Sequence, residues 1–328
     1  MIRSIALTGP TGVGKTALSL QIASHLPCEI LSCDSMQIYR GMDIGTAKAT
    51  AQERAAAVHH MIDICEPSEP FSAADYAARA LSIAADVVAR GHVPLFVGGT
   101  GLYLSTLLRP KQQTPESDPA YHARRMAEAE EKGVDALYEQ LCRLDAATAA
   151  TVHKNNVRRV IRALEIYDKT GIPKSVWDES SRQQASEISL CHLTLDAHVR
   201  ATLYTRTDAR VEAMLADGLL DEVRALYTSG RLREGTTASQ AIGYKEMLGA
   251  VQGVCTVAEA TEQLKLSTRH YVKRQLTWFA RMEAHRVHID REDGVLRPFD
   301  DVAAEVLAIL REEGFAVCAA ASNENRNI

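Results

Sequence analysis

The residues Gly9-Pro10-Thr11-Gly12-Val13-Gly14-Lys15-Thr16 decide how the rest of the chain is read. They fit the Walker A spacing in full, and their flanks fit it too. Ile5-Ala6-Leu7 before them is a short apolar run that reads as a buried strand. Leu18, Ile22 and Leu26 behind them recur at helical spacing. Glycines in such a turn let backbone amides curl round phosphate oxygens, and the helix start adds partial positive charge. Lys15 supplies a point cation, and the Thr16 hydroxyl can ligate magnesium. The spacing therefore predicts a nucleotide- or diphosphate-binding loop over Gly9, Pro10, Thr11, Gly12, Val13, Gly14, Lys15 and Thr16, with Mg2+ as cofactor. The alternative, a chance glycine-rich turn, needs strand, spacing and helix to coincide without cause. Taken alone, the loop suggests a small kinase or an ATPase.

Working outward, strands are expected at 29–32 and 93–97, with a helix at 71–90 between them. Strands alternating with helices specify a parallel sheet. Two polar stretches, 109–119 and 179–187, interrupt this pattern, and the residues between them read as helical. Asp118-Pro119 is a helix start, because proline suits the first helical position. A second helix at 156–169 is closed by Gly171 and Pro173. The expected fold is α/β, a P-loop NTPase-like parallel-sheet core over 1–109 and 187–316, with an inserted helical subdomain at 110–186. A returning strand is expected at 190–195 and a last one at 287–290. Thr256 and Glu259 form a capping box for a helix reaching about Met282, and the polar 317–328 tail reads as disordered.

Composition narrows the function classes. The chain has 328 residues, enough for one large domain or two, and is 46% apolar and 24% charged, as in soluble globular proteins. Its net charge of -5 excludes nucleic-acid binding by bulk positive charge, so any such contact must come from a local basic patch. The seven cysteines (Cys28, Cys33, Cys65, Cys142, Cys191, Cys255 and Cys318) are odd in number and form no CxxC pair. Free thiols in a reducing compartment are expected, and no zinc site. The start lacks a signal-peptide pattern, and no run approaches the roughly 18 apolar residues of a membrane span. The expectation is a cytoplasmic monomer without membrane attachment.

Five further blocks follow the Walker loop. They are Asp34-Ser-Met-Gln-Ile-Tyr-Arg-Gly-Met-Asp-Ile-Gly-Thr-Ala-Lys48, His59-His-Met-Ile-Asp63, Val97-Gly-Gly-Thr-Gly-Leu-Tyr103, Ile242-Gly-Tyr-Lys-Glu246 and Lys273-Arg-Gln-Leu-Thr-Trp-Phe279. In this order they closely resemble the tRNA dimethylallyltransferase family, over about residues 3–290. The resemblance implies a phosphate-loop core with a helical insert that grips the anticodon arm. It implies transfer of a dimethylallyl group from dimethylallyl diphosphate to the N6 amine of the adenosine next to the anticodon. The tRNAs concerned read codons beginning with U. The partners implied are the tRNA anticodon stem-loop and dimethylallyl diphosphate.

Single residues then take candidate roles. Asp34 follows the second strand beside the Walker loop, where parallel sheets place their sites. A carboxylate there can take the proton that an exocyclic amine must lose as a C–N bond forms. A second magnesium-binding acid is the other reading, and the two are compatible. Thr11, Lys15 and Asp34 form the expected catalytic set. The resemblance makes Asp34, Ser35, Met36 and Gln37 a tRNA-binding segment in which the Gln37 amide can pair bidentately with an adenine edge; an exposed turn is the alternative reading. Thr100 sits in a glycine-rich turn after the third strand, which is either a plain turn or, as in the family, a tRNA contact.

In the insert, Val157, Val160, Ile161 and Leu164 form a buried stripe. Arg158 and Arg162 lie four apart on another face, an arrangement that an RNA phosphate would relieve. A solvated face, with Arg162 relieved by Glu165, is the alternative. The family's tRNA-contact segment falls on Arg158, Arg159, Val160, Ile161 and Arg162. Arg200, Arg206 and Arg210 resemble family arginines that neutralise diphosphate or tRNA. His122 stands where many members have arginine, which makes that tRNA contact weaker or pH dependent unless Arg124 or Arg125 replaces it. Asn156 replaces a common aspartate, and Gly12-Val13 a common Ala-Ser. The zinc-finger extension of eukaryotic members is absent, which suggests the bacterial type. Three rival readings use the same residues: a nucleotide kinase, a prenyltransferase of free adenine nucleotides, and a non-catalytic RNA-binding module.

Overall fold

The apolar run at 5–7 lies inside β1 (Ile2–Thr8), and Ile5, Ala6 and Leu7 have no exposed surface. A strand buried on both faces must be covered by helices on both sides, which is the condition of a parallel sheet. The computed structural model describes residues 1–108, 114–182 and 186–318. In chain order, β1 is followed by α1 (Lys15–His25), β2 (Cys28–Ser32), α2 (Ala51–Ala56), β3 (His59–His60), α3 (Ala73–Ala89), β4 (Val93–Gly98) and α4 (Gly101–Leu108). Then come α5 (Pro119–Lys132), α6 (Val134–Leu144), α7 (Ala146–Ala149), α8 (Val157–Thr170) and α9 (Lys174–Arg182). The chain returns through β5 (Ile188–Asp196), α10 (Arg200–Ala216), α11 (Leu219–Thr228), α12 (Tyr244–Val251), α13 (Val257–Phe279), β6 (His285–His288) and α14 (Phe299–Glu312).

Two compact units result: Met1–Leu107 with Glu187–Ile328, and Leu108–Ser186. In the first, six strands pair in the order β3-β2-β4-β1-β5-β6, all parallel. Every strand therefore ends at the same edge of the sheet, and the turns that follow β1, β2 and β4 gather there. One core joins the sheet to α1 and α14 through Leu18, Ile22, Val306 and Leu310. A second core joins the 36–44 segment to α10–α13 through Tyr39, Met42, Leu219 and Tyr244.

The expected strands and helices are present, with corrections at the margins. The two-residue β3 is too short to leave a periodic signal. α13 begins with the Thr256–Glu259 capping box and stops at Phe279 rather than Met282. The polar linkers at 109–113 and 183–185, and the tail from 319, lie outside the described residues. Among the described residues no helix is long and apolar enough to cross a membrane.

The second unit is helical. α5 starts at Asp118, whose side chain accepts from the Ala120 amide, with Pro119 at its first position. Val160, Ala163 and Leu164 of α8 pack on Leu137 and Leu141 of α6 and Ala129 of α5. Asn156 occupies the N-cap position of α8, yet its side chain makes no capping bond. The centre of the unit's polar structure is Glu165, which has no exposed surface. It accepts from the Asp118 amide, from Arg162 and from Lys169 at 2.9 Å, and lies 3.1 Å from the His122 ring. Burial pushes the Glu165 carboxyl up, but the Asp118 amide, Lys169 and Arg162 outweigh it and hold its pKa down at about 2.

A buried carboxylate with two cations is costly to break from one side. Glu165→Gln is expected to destabilise the helical unit by about 3 kcal/mol in urea unfolding of the full chain. The folded pKa lies below the ordinary 4.5, so this stabilisation is complete above that pH and lost as pH falls toward about 2. The variant should lose stability less steeply over that acid range.

Candidate active site

The site begins where β1 ends. Gly9 has φ of 139°, and a Cβ on it would lie 2.4 Å from the Leu195 carbonyl oxygen, so the turn out of β1 admits only glycine. Gly14, in the left-handed region, is the N-cap of α1. Between them the Lys15 ammonium donates to the Gly9 and Pro10 carbonyls, at 2.9 and 2.8 Å. The Arg206 guanidinium donates to the Gly12 carbonyl at 2.8 Å. Val13 turns inward and is buried in the sheet core.

The turns after β2 and β4 are pressed against each other. A Cβ on Gly98 would lie 2.0 Å from the Cys33 carbonyl oxygen. Cys33 accepts there from the Thr100 amide at 3.1 Å, and the Thr100 hydroxyl accepts from the Ser35 amide at 3.0 Å. Asp34 is thus held at the crossing of two turns, and its carboxylate accepts from the Met36 amide at 2.9 Å. Met36 itself packs against the second core. Gln275 of α13, buried to 4% exposure, ties this pair of turns to the Walker loop. Its oxygen accepts from the Thr11 amide at 2.9 Å, and its nitrogen donates to the Gly99 carbonyl at 3.0 Å.

These turns surround a cavity of about 530 Å³, lined by Thr11, Lys15, Thr16, Asp34, Gln37, Arg206, Arg210, Tyr271 and Gln275. Its charges are unequal. Burial and the neighbouring Arg210 pull the Lys15 pKa from 10.5 down to about 7, with Asp34 opposing. Burial also lowers Arg210; Asp34 opposes that shift and Arg206 adds to it. Lys15, Arg206 and Arg210 outnumber the acids Asp34 and Glu53 in the lining, so the cavity is electrostatically suited to an anion.

The sequence-predicted residues divide accordingly. Thr11, Gly12, Gly14, Lys15, Thr16, Asp34 and Gln37 all line this cavity, as do Arg206 and Arg210. Arg200 does not; it is exposed at the start of α10. Gln37 requires a correction. Its oxygen accepts from the Ser32 hydroxyl at 2.8 Å, and its nitrogen donates to the Thr46 and Ala47 carbonyls, both at 3.3 Å. Its amide nitrogen is therefore spent within the fold, and two-point pairing with adenine is not open to it.

In the helical unit, Val160 and Ile161 are 1% and 0% exposed, so their side chains belong to the interior and do not face RNA. Arg162 is committed to Glu165, Thr114 and Pro115. His122 faces Glu165, and Arg125 is held by Glu128 and Gln140, both at 2.7 Å. Arg158, Arg159 and Arg124 are exposed and make no ion pair among the described residues. Sequence reasoning missed Gln275 and Tyr271. Both face the cavity from α13, and Gln275 stood unassigned inside the 273–279 block.

A Walker-spaced turn, a cationic cavity and the Asp34 carboxylate at the carboxyl edge of a parallel sheet define an α/β enzyme of the phosphate-loop type. Comparison with known proteins narrows this. The family model described as IPP transferase matches residues 37–282. A tRNA dimethylallyltransferase of Geobacillus thermodenitrificans is 48% identical over 84% of this chain and 86% of its own length. That of Bacillus subtilis is 46% identical over 84% and 87%. The crystal structure of a tRNA isopentenylpyrophosphate transferase from Bacillus halodurans superposes with a TM-score of 0.67 at 38% identity, covering 95% of this chain and 98% of that one. A eukaryotic dimethylallyltransferase acting on tRNA gives a TM-score of 0.78 at 29% identity, covering 95% and 79%. The chain belongs to the tRNA dimethylallyltransferase family, and is thus a prenyltransferase.

Removing the Gln275 amide leaves a buried carbonyl and an amide without partners. Gln275→Ala should lower stability by about 2 kcal/mol in chemical denaturation. Gln275→Glu should not restore it, because a carboxylate cannot donate to the Gly99 carbonyl.

Proposed function

We propose that this protein transfers a dimethylallyl group from dimethylallyl diphosphate to the N6 amine of the adenosine next to the anticodon, in tRNAs that read codons beginning with U. The observation that carries this reading is the charge pattern of the cavity: Lys15, Arg206 and Arg210 together with Asp34. In the reaction a bond forms between the amine nitrogen and the terminal carbon of the prenyl chain. The carbon–oxygen bond to diphosphate breaks, and the amine loses a proton. The three cations and the Gly9–Thr16 turn stabilise the departing diphosphate. Asp34 takes the proton as the new bond forms. The amide of Thr11 is held by Gln275, so its hydroxyl is the group free to position a substrate. The target base cannot react while stacked, and must be flipped out to reach a cavity of this kind.

Magnesium suits this site chemically. The Thr16 hydroxyl and the Asp34 carboxylate belong to residues that line the cavity and are hard oxygen donors, and diphosphate would supply more. When bound, the ion adds positive charge beside the leaving group. Lys15 would regain its proton fully on meeting a diphosphate, because an adjacent anion raises an ammonium pKa from about 7.

Label should move from radiolabelled dimethylallyl diphosphate into unmodified tRNA, and not into AMP or ATP, with magnesium required. Label in the free nucleotides alone would move the protein to another substrate class. Asp34→Asn should cut turnover by about a hundredfold to ten-thousandfold if the carboxylate is the base. Near-normal turnover would leave Asp34 only a metal-binding or structural part.

The free guanidiniums of Arg158 and Arg159 are the phosphate contacts of the helical unit in this reading. Replacing both with alanine should weaken tRNA binding and reduce the slope of log affinity against log salt by about 2. Arg162→Ala should instead lower the stability of the unit, since its guanidinium serves Glu165.

A further inference from the structure

Another wall of the same cavity is built from Thr46 and Ala47, and this wall is held with unusual firmness. Glu222 of α11 reaches back across the fold to the turn that begins at Asp43. Its carboxylate accepts from three consecutive amides, those of Asp43 at 3.0 Å, Ile44 at 2.8 Å and Gly45 at 3.2 Å. The Tyr244 hydroxyl donates to the same carboxylate at 2.5 Å. Gly45 lies flat against that ring, and a Cβ there would be 2.5 Å from Tyr244 Cε2.

The other end of the turn is pinned by Lys48, whose side chain is almost wholly buried. Its ammonium donates to Asp43 at 2.7 Å, to Asp63 at 2.6 Å and to the Tyr39 carbonyl at 2.7 Å. Between the two pins Ala47 takes φ of 45°, a conformation that costs a non-glycine residue energy and persists only where its surroundings impose it.

The turn acts on Gln37. The Gln37 amide nitrogen donates to the Thr46 and Ala47 carbonyls, both at 3.3 Å. A carbonyl oxygen can only accept, so the nitrogen must face these two groups, and the orientation of the amide follows from chemistry. The Ser32 hydroxyl takes one lone pair of the Gln37 oxygen. What remains for a ligand in the cavity is a single acceptor. Adenine carries a donor at position 6, whereas guanine and hypoxanthine carry an acceptor there.

We propose that Glu222 and Lys48 are positioning residues that, through the Asp43–Lys48 turn, fix Gln37 as an acceptor and so select a base with an exocyclic amine over one with a carbonyl. This rests on the tRNA prenylation reading. Asp34 then takes the proton of the amine, while Gln37 orients it.

The test is binding of two anticodon stem-loop RNAs, with adenosine or inosine at the target position, alongside tRNA kinetics and calorimetric binding of dimethylallyl diphosphate. The wild-type protein is expected to prefer the adenosine RNA by about tenfold or more. In Glu222→Gln and Glu222→Ala that ratio should shrink toward one, and kcat/KM for tRNA should fall about a hundredfold. Diphosphate binding should stay within about twofold, because the Gly9–Thr16 turn does not depend on Glu222. If the alanine variant fails to fold, Gly45→Ala displaces the same turn from Tyr244 with Glu222 intact, and should reproduce the loss of discrimination. An unchanged ratio in a folded variant, or donor and RNA binding falling in step, would overturn the proposal. Wild-type protein that prenylates tRNA but binds both RNAs equally would defeat this inference alone. Wild-type protein that labels no tRNA would defeat the reading beneath it.

Discussion

One buried amide holds the catalytic edge of this protein together. Gln275 accepts from Thr11 and donates to Gly99, residues 264 and 176 positions away in the chain. A polar group at 4% exposure is tolerable only when both of its functions are paired, and here the pairing is what aligns the loops. The bond also explains the glycine at 99, since a Cβ there would lie 2.1 Å from the Gln275 nitrogen. The Walker turn is therefore not an independent module on the first strand. Its position relative to Asp34 passes through a helix that arrives near the end of the fold.

That alignment gathers charges which repel one another. Lys15 and Arg210 are both depressed by burial and by neighbouring cations, and Asp34 opposes both shifts. Burial and the facing Arg210 favour loss of the Lys15 proton and bring its pKa down to about 7. An anion beside such a lysine favours its charged form and so opposes both causes of the shift. The folded protein thus carries a local electrostatic strain that an anionic ligand relieves. Differential stabilisation of this kind is useful where negative charge grows on a leaving group.

Much of this architecture was legible because it is local. The Walker spacing, the Asp118-Pro119 helix start and the Thr256–Glu259 capping box are each set by residues within a few positions of one another. The α8 stripe was legible too, and it already separated inward Val160 and Ile161 from outward Arg158 and Arg159. Carrying the whole 158–162 segment over as RNA-facing overrode that periodicity, and the burial of the two aliphatic residues corrects it. What the sequence hid was long-range commitment. Nothing near Gln37 announces that Thr46 and Ala47 consume its nitrogen, or that Glu222, 177 to 179 positions from the turn, holds those carbonyls in place. A side chain that looks free in sequence can be spent in the fold, and only partners distant in the chain decide which.

The same logic resolves the apparent conflict between an acidic chain and a nucleic-acid substrate. Net charge is an average, while phosphate recognition depends on which cations are left over after internal pairing. Lys169 and Arg162 are spent on Glu165, and Arg125 on Glu128. Arg158 and Arg159 have no such partners among the described residues and stand exposed on the first turn of α8. Their charge is unfavourable at a helix N-terminus, where the macrodipole prefers anions, and no acid lies in that turn. A phosphate placed there would meet both the guanidiniums and the unpaired amides of the helix start. Among the described residues, the internal pairing of Arg162, Lys169 and Arg125 leaves Arg158, Arg159 and Arg124 as exposed cations without ion pairs, the material of the local basic patch that composition demanded.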